Sequence, residues 1–241
     1  MDYRELPWDS AFFGLSVASM IIDEGDSPEA VQRMLDTSAA ELIYAFLSPE
    51  LQPRFEVVLR RYGSLYDEKV YYEKSLAQET PVPNLPEGVV LTMIEQPLPE
   101  LYALARASSW DSRFAKDPRL APKVGELYDL WIEKGLSSPH QGIVGVWDSQ
   151  NTHVPRGLVS FKITDGTGVI ELFAVDSRCR RQGLGRALLT YFDNLLVQRS
   201  ITRAAVVTQK TNLGACRAYE SAGFSVSRVR NVWHLYRSEA E

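Results

Sequence analysis

Cysteine and histidine are scarce. The 241-residue chain holds two cysteines, Cys179 and Cys216, and three histidines, His140, His153 and His234. Two thiols cannot build a disulfide framework or a multi-cysteine metal site, and histidines this far apart lack the spacing of zinc ligands, so no metal is expected. No apolar run approaches the roughly 18–20 residues that a membrane span needs. The first residues, Met1-Asp2-Tyr3-Arg4-Glu5, lack the basic and apolar regions of a secretory leader. Basic excess is missing too: 26 Lys and Arg face 31 Asp and Glu, a net charge of −5. That balance disfavours indiscriminate nucleic-acid binding while leaving room for a local basic pocket. What remains is a chain with 45% hydrophobic and 24% charged residues, enough for one large or two small cores. The expectation is a cytoplasmic protein without a metal, nucleic-acid or membrane partner.

Residues 77–87, AQETPVPNLPE, carry Pro81, Pro83 and Pro86, which remove backbone donors and hold the segment extended. A linker there separates a small N-terminal α/β domain, 1–76, from a larger domain, 88–241. In the first, Leu15–Ile22, Glu41–Leu47 and Ser64–Leu76 read as strands. Helices are predicted over Pro28–Ser38 and from Ser48 to Tyr62, each opened by a serine with proline in the first turn. In the second, strands are expected at Val89–Ile94, Ile143–Trp147, Gly157–Ile163, Val169–Val175 and Arg203–Thr208, with two more between Phe224 and Tyr236. Helices fall at Leu98–Ser108, Ala121–Gly135, Gly183–Gln198 and Leu213–Ser221. Strands and helices alternate, so the fold class is α/β (α+β), with a β-α-β-α-β unit first. Both halves end in a helix, a glycine and an aromatic-rich stretch, a pattern open to duplication or to chance. Trp8, Phe12, Phe13, Trp131 and Trp147 are expected in cores or packing surfaces.

The most informative stretch is Ile170 to Leu189, IELFAVDSRCRRQGLGRALL. A strand runs into Arg180-Arg181-Gln182-Gly183-Leu184-Gly185, and the glycines open an amphipathic helix. Glycines let a ligand approach the backbone, free amides at a helix start point outward, and the helix dipole favours negative charge. Arg178, Arg180, Arg181 and Arg186 surround the turn. This describes an anion cradle, although a tight turn with solvated arginines would look similar. It is neither a P-loop, which needs Gly-Lys-Ser/Thr, nor the dinucleotide fingerprint, whose third glycine is missing.

Arg-x-x-Gly-x-Gly after Glu-Leu-Phe-Ala-Val resembles the pyrophosphate loop of the GCN5-related N-acetyltransferases (GNAT), which use acetyl-coenzyme A. Asn212, Ala215, Tyr219-Glu220 and Gly223-Phe224 resemble that family's second signature, so the likeness covers about Val89 to Arg237. Leu6-Pro-Trp-Asp-Ser-Ala-Phe-Phe-Gly14, Ser112-Arg113-Phe114, Trp131-Ile132 and Trp233-His-Leu-Tyr-Arg237 are further similar to the dTDP-fucosamine acetyltransferase subfamily of polysaccharide biosynthesis. Those enzymes acetylate the amino group of a dTDP-4-amino-4,6-dideoxy sugar and also carry a small N-terminal domain. The arginine-heavy loop here departs from their glycine- and alanine-richer one.

The resemblance implies a mixed sheet with a splayed strand pair. It implies that the backbone of Leu172, Phe173, Ala174 and Val175 pairs with the pantetheine arm and offers an amide to the thioester oxygen. Arg180, Arg181, Gln182, Gly183, Leu184, Gly185 and Arg186 would hold the pyrophosphate, and Asn212 would bond the pantetheine. Tyr219, seven residues beyond Asn212 and so on nearly the same helix face, becomes the candidate general acid. A phenol with a reference pKa near 10 can protonate a thiolate whose conjugate acid is near 8.5. Without the resemblance, the residues favour a packed tyrosine bonded to a backbone carbonyl.

Glu171 is the candidate base, acting through water, or else an ordinary strand carboxylate; alternation places it with Phe173 and opposite Leu172. His234 is the reserve base. Cys179 and Cys216 receive no role, since direct transfer needs no covalent intermediate. For the acceptor, Trp110, Arg113 and Phe114 offer a ring and a cation to a nucleotide diphosphate sugar, unless the segment is a plain solvated loop. Three readings stay open: a dTDP-amino-sugar N-acetyltransferase, an N-acetyltransferase of a protein, polyamine or antibiotic amine, and a coenzyme A-binding module without turnover. The oligomeric state is open as well, a homodimer included.

Overall fold

The computed structural model describes residues Met1–Arg237, with the backbone alone at 151–153, so the His153 side chain and the last four residues of the expected 88–241 domain lie outside the described residues. The chain runs β1 (Asp2–Glu5), α1 (Pro7–Phe13), β2 (Val17–Ile21), α2 (Pro28–Thr37), β3 (Leu42–Leu47), α3 (Gln52–Leu59), β4 (Gly63–Ser75), β5 (Val89–Met93), α4 (Pro99–Ala107), α5 (Arg113–Lys116), α6 (Val124–Ser137), β6 (Gln141–Asp148), β7 (Asn151–Thr164), β8 (Thr167–Val175), α7 (Leu184–Gln198), β9 (Arg203–Gln209), α8 (Leu213–Ser221) and β10 (Ser225–Tyr236). Short 3-10 turns precede α3, α5, α6 and α7. Phe224–Tyr236 was expected as two strands and is one long strand, and no glycine or proline interrupts Ser225 to Tyr236. Strand β1 and helix α1 extend the expected β-α-β-α-β order at its start; both are short, and α1 lacks a side-chain cap bond that sequence would advertise.

Two compact units form, and they do not follow the expected division at 77–87. The first gathers Met1–Val70, residues 209–211 and the chain from Arg228 onward. Here the strand order is β1-β2-β3-β10-β4, with β2 parallel to β3 and β10 antiparallel to it from Asn231↔Leu47 to Tyr236↔Leu42. Trp233 and Leu235 of β10 pack with Met20, Ile43, Phe55 and Leu59 in one buried cluster. Burying two such side chains is worth about 3–6 kcal/mol, which is why the C-terminal strand belongs with the N-terminal residues. His234 lies in this unit, fully buried between the rings of Tyr44 (4.9 Å) and Tyr66 (4.6 Å). Trp8 is exposed and stacks on Phe12 at 5.3 Å, whereas Phe13 is buried as expected.

The second unit comprises Tyr71–Thr208 and Asn212–Ser227. Its strand order is β4-β9-β8-β7-β6-β5, with β8 parallel to β9 and antiparallel to β7. The proline-rich segment is irregular, as expected, and is tied to α7: Thr80 N donates to Asn194 Oδ1 and Asn194 Nδ2 donates to Thr80 O, each at 2.8 Å. A helix lies on each face of this sheet. Phe161 of β7 packs on Phe192 of α7 at 5.3 Å, while a Cβ on Gly135 of α6 would stand 3.6 Å from Oγ of the neighbouring Ser160. Adjacent strand residues point to opposite faces, so α7 and α6 cover opposite sides.

Candidate active site

The site is built where β8 and β9 part. Their parallel pairing runs from Thr167↔Arg203 to Ile170↔Val206 and stops, although β8 continues to Val175 and β9 to Gln209. The cause lies on the other edge of β8. Ser160 pairs with Leu172 and Phe161 with Ile170, so Glu171 faces no residue of β7. An extra residue of this kind is a β-bulge, which bends its strand and increases its twist. Bending β8 at Glu171 swings Leu172–Val175 away from β9 and leaves that backbone edge open. An open edge of unpaired amides and carbonyls is a template for an extended ligand.

The bulge also re-aims side chains. Gly168 sits on the α7 side, since a Cβ there would meet Leu196, and Ile170 follows it in step. Glu171 therefore points to the α6 side, where Oε1 lies 2.8 Å from Nζ of Lys162. Past the bulge, Phe173 is back on the α7 side, its Cζ 3.2 Å from where a Gly185 Cβ would stand. Glu171 and Phe173 thus face opposite sides, the reverse of what alternation predicts. The residues Ser108–Asp111, which include Trp110, lie against β8 and continue α4, which packs on α6.

Beyond Val175 the chain makes a 3-10 turn at Ser177–Cys179 and then an exposed loop, Arg180 to Gly183, which opens α7. Gly183 has φ +79°, and Arg181 has φ +60°, a conformation that costs a side-chain-bearing residue energy and clusters at functional sites. The first bond of the helix runs from Ala187 N to Gly183 O at 3.0 Å. The amides of Leu184, Gly185 and Arg186 precede it, and no side chain caps them. Gly185 leaves the approach clear on the Phe173 side. Two arginines are diverted from the expected cluster. Arg178 pairs with Asp176 at 2.7 Å, and its guanidinium holds that carboxyl below the usual range. Arg180 Nε donates to Val175 O at 3.2 Å. Arg181 and Arg186 are exposed and have no hydrogen bond or ion pair among the described residues. Amides, a helix N-terminus and two cations fit a diphosphate.

Helix α8 brings the second half. Asn212 caps it, accepting from Ala215 N at 3.2 Å, so Oδ1 is engaged in the cap. Tyr219 is 3% exposed and lies among the rings of Phe173 (5.5 Å), Tyr72 (5.9 Å) and Phe224 (5.9 Å). Its contact with Phe173 joins α8 to the open strand. Burial, reinforced by Cys216, pushes the Tyr219 phenol well above the ordinary tyrosine range. The hydroxyl makes no hydrogen bond among the described residues, so the alternative of a tyrosine bonded to a carbonyl does not apply.

The acceptor residues divide. Trp110 is 68% exposed. Arg113, expected to offer a cation to the acceptor or else to lie in a solvated loop, is buried with its Cζ 4.2 Å above the Phe114 ring, and Lys116 pairs with Asp111 at 2.6 Å. Ser112 caps the short α5, its Oγ accepting from Ala115 N at 3.1 Å. His234, the reserve base, is fully buried in the core of the first unit. Tyr72 and Lys162 escaped sequence reasoning, because their strands meet α8 and β8 only after folding. Among the described residues no group of His, Cys, Asp or Glu could hold a metal ion, and no helix is long and apolar enough to cross a membrane.

A strand bent open beside a glycine-arginine turn, with a second helix packing a tyrosine against it, agrees with the match of the acetyltransferase (GNAT) family to residues 103–224. The chain belongs to the GNAT family. It is an acetyl-CoA-dependent N-acetyltransferase of mixed α/β fold. It is 28% identical to the dTDP-fucosamine acetyltransferase of Escherichia coli O6:H1, over 96% of each chain. It is 29% identical to the [ribosomal protein bS18]-alanine N-acetyltransferase of Escherichia coli K12, over 43% of this chain and 70% of that one. A GCN5-related N-acetyltransferase from Kribbella flavida shares the fold, with a TM-score of 0.58 and 20% identity over 91% of this chain and 81% of the other.

Proposed function

We propose that this GNAT enzyme transfers the acetyl group of acetyl-CoA to the amino group of a dTDP-linked 4-amino-4,6-dideoxy sugar. One observation carries the reading: the likeness to dTDP-fucosamine acetyltransferase extends over 96% of both chains, the N-terminal residues included. Acetylation of a protein N-terminus is the second reading, favoured by the bS18-alanine N-acetyltransferase, whose likeness reaches 43% of this chain.

Acetyl-CoA brings an acyl group activated as a thioester. The open edge at Leu172–Val175 pairs with an extended arm and directs an amide at the thioester oxygen. The amides of Gln182 to Arg186 hold the diphosphate, with Arg181 and Arg186 balancing its charge. Asn212 has its amide Nδ2 left to donate, since the cap engages Oδ1. As the amine attacks the carbonyl carbon and the carbon–sulfur bond breaks, Tyr219 gives its proton to the sulfur. The amine's own proton passes through water to Glu171, whose position on the α6 side puts it on the face where Trp110 offers a ring to a nucleobase. Lys162 keeps this carboxylate in place at 2.8 Å.

Glu171→Gln is expected to lower kcat/KM about 10²-fold near neutral pH. An unchanged kcat/KM would assign proton removal to water alone. The acceptor is tested by thermal shift and turnover together. Acetyl-CoA at a hundred times its Kd should stabilise the protein by about 2.7 kcal/mol, and a dTDP-4-amino-4,6-dideoxygalactose should add to that and be acetylated. Acetylation of an alanine-terminated peptide instead, with no shift from the sugar, would favour the second reading.

A further inference from the structure

The Tyr219 hydroxyl has no hydrogen bond of its own among the described residues, so something other than a bond to its oxygen must aim it. Its helix is short, nine residues, and is pinned at both ends. Asn212 caps the start, and Lys74 Nζ donates to Ala222 O at 2.6 Å at the finish. The turn between them is held by a third tie. Tyr72 of β4 is 2% exposed, and its hydroxyl donates to Glu220 Oε1 at 2.8 Å. The Cys216 thiol stands within hydrogen-bond reach of the same hydroxyl. Cys216 and Glu220 are four residues apart and so lie one above the other on the helix face that meets β4, bracketing Tyr219. The Tyr72 ring meanwhile stands 5.9 Å from that of Tyr219, which the rings of Phe173 and Phe224 also contact.

We infer that Tyr72 is a positioning residue for the transfer reaction: its hydroxyl, bonded to Glu220, holds the turn of α8 that aims the Tyr219 phenol at the leaving sulfur. A bond to a charged acceptor is stronger than one between neutral groups, and here it spans two elements far apart in sequence. Displacement of a reacting group by about 1 Å can cost 10²-fold in rate. The inference rests on Tyr219 being the acid.

Tyr72→Phe keeps the ring and removes only the tie. It should lower kcat on the order of tenfold while the KM for acetyl-CoA stays unchanged, because the loop and the open strand are untouched. Glu220→Ala should reproduce the loss, whereas Glu220→Gln, which retains an acceptor oxygen, should restore most of the rate. Adding Tyr72→Phe to Tyr219→Phe should cost nothing further, because a tie cannot aim a proton that is gone. Full kcat in Tyr72→Phe, even with a lowered melting temperature, would make the residue purely structural and overturn the inference. Additive losses in the double variant would do the same. These outcomes differ from failure of the acid assignment, in which Tyr219→Phe alone turns over at the wild-type rate and both proposals fall.

Discussion

Tyr219→Phe is expected to reduce kcat by about 10²-fold or more while barely changing the affinity for acetyl-CoA. The substitution removes one oxygen that bonds nothing in the protein and keeps a ring packed by Phe173, Tyr72 and Phe224. Stability should therefore hold within about 0.5–1 kcal/mol, and the loss will be of chemistry rather than of fold. Burial raises the phenol's proton affinity, so the acid is fully protonated at neutral pH. It would be a poor donor to a free thiol's conjugate base in water. On the proposed reading the sulfur leaves in the same apolar surroundings, where its basicity is raised as well. The sign of the shift gives a second test. Loss of this proton sets in only above the ordinary tyrosine value of about 10, so kcat should show no tyrosine-like fall at lower pH. A wild-type rate in Tyr219→Phe, measured by thiol release, removes the role.

Lys74→Met is expected to destabilise the catalytic unit strongly. Lys74 Nζ lies 2.5 Å from Asp193 Oδ2 of α7 and also donates to Ala222 O at the end of α8, so one ammonium joins both helices of the site. Asp193 is buried in α7, and burial pushes its carboxyl up despite the opposing pull of Lys74. Removing the cation leaves a buried carboxylate uncompensated, at a cost of about 3–5 kcal/mol. The sign follows from the direction of the shift. A carboxyl whose folded-state pKa is raised contributes stability below its unfolded value and loses it as pH rises through the folded value. Without Lys74 that folded value climbs further, so the deficit should be largest at neutral and alkaline pH and should shrink toward acid pH. Urea denaturation of both proteins across that range will show it. Adding Asp193→Asn should recover part of the loss, and an unchanged midpoint at pH 7 would refute the account.

The glycine-arginine turn and the capped helix that carries Tyr219 were legible in the sequence for a local reason. Arg-x-x-Gly-x-Gly at a strand-to-helix turn and Asn212 seven residues before Tyr219 are short-range patterns, and the chemistry of anion binding and helix geometry acts over the same few residues. Most strands and helices around them came out close to their expected bounds by the same periodicity. Unit boundaries did not, because Trp233 and Leu235 join a core assembled from residues about two hundred positions earlier. Nor did the face of Glu171: alternation holds only while each residue has a partner, and β7 supplies none at that position. Arg113 reads as a surface cation until its neighbours fold over it. The amino-acid order by itself determined the strand, glycine-arginine turn and helix at 170–198, the capped helix α8 and the place of Tyr219 on it. Only tertiary structure decided where β8 bends, which face its carboxylate takes and which strand packs on Tyr219 and bonds its helix, because a bulge and a cross-element hydrogen bond depend on partners that no local pattern names.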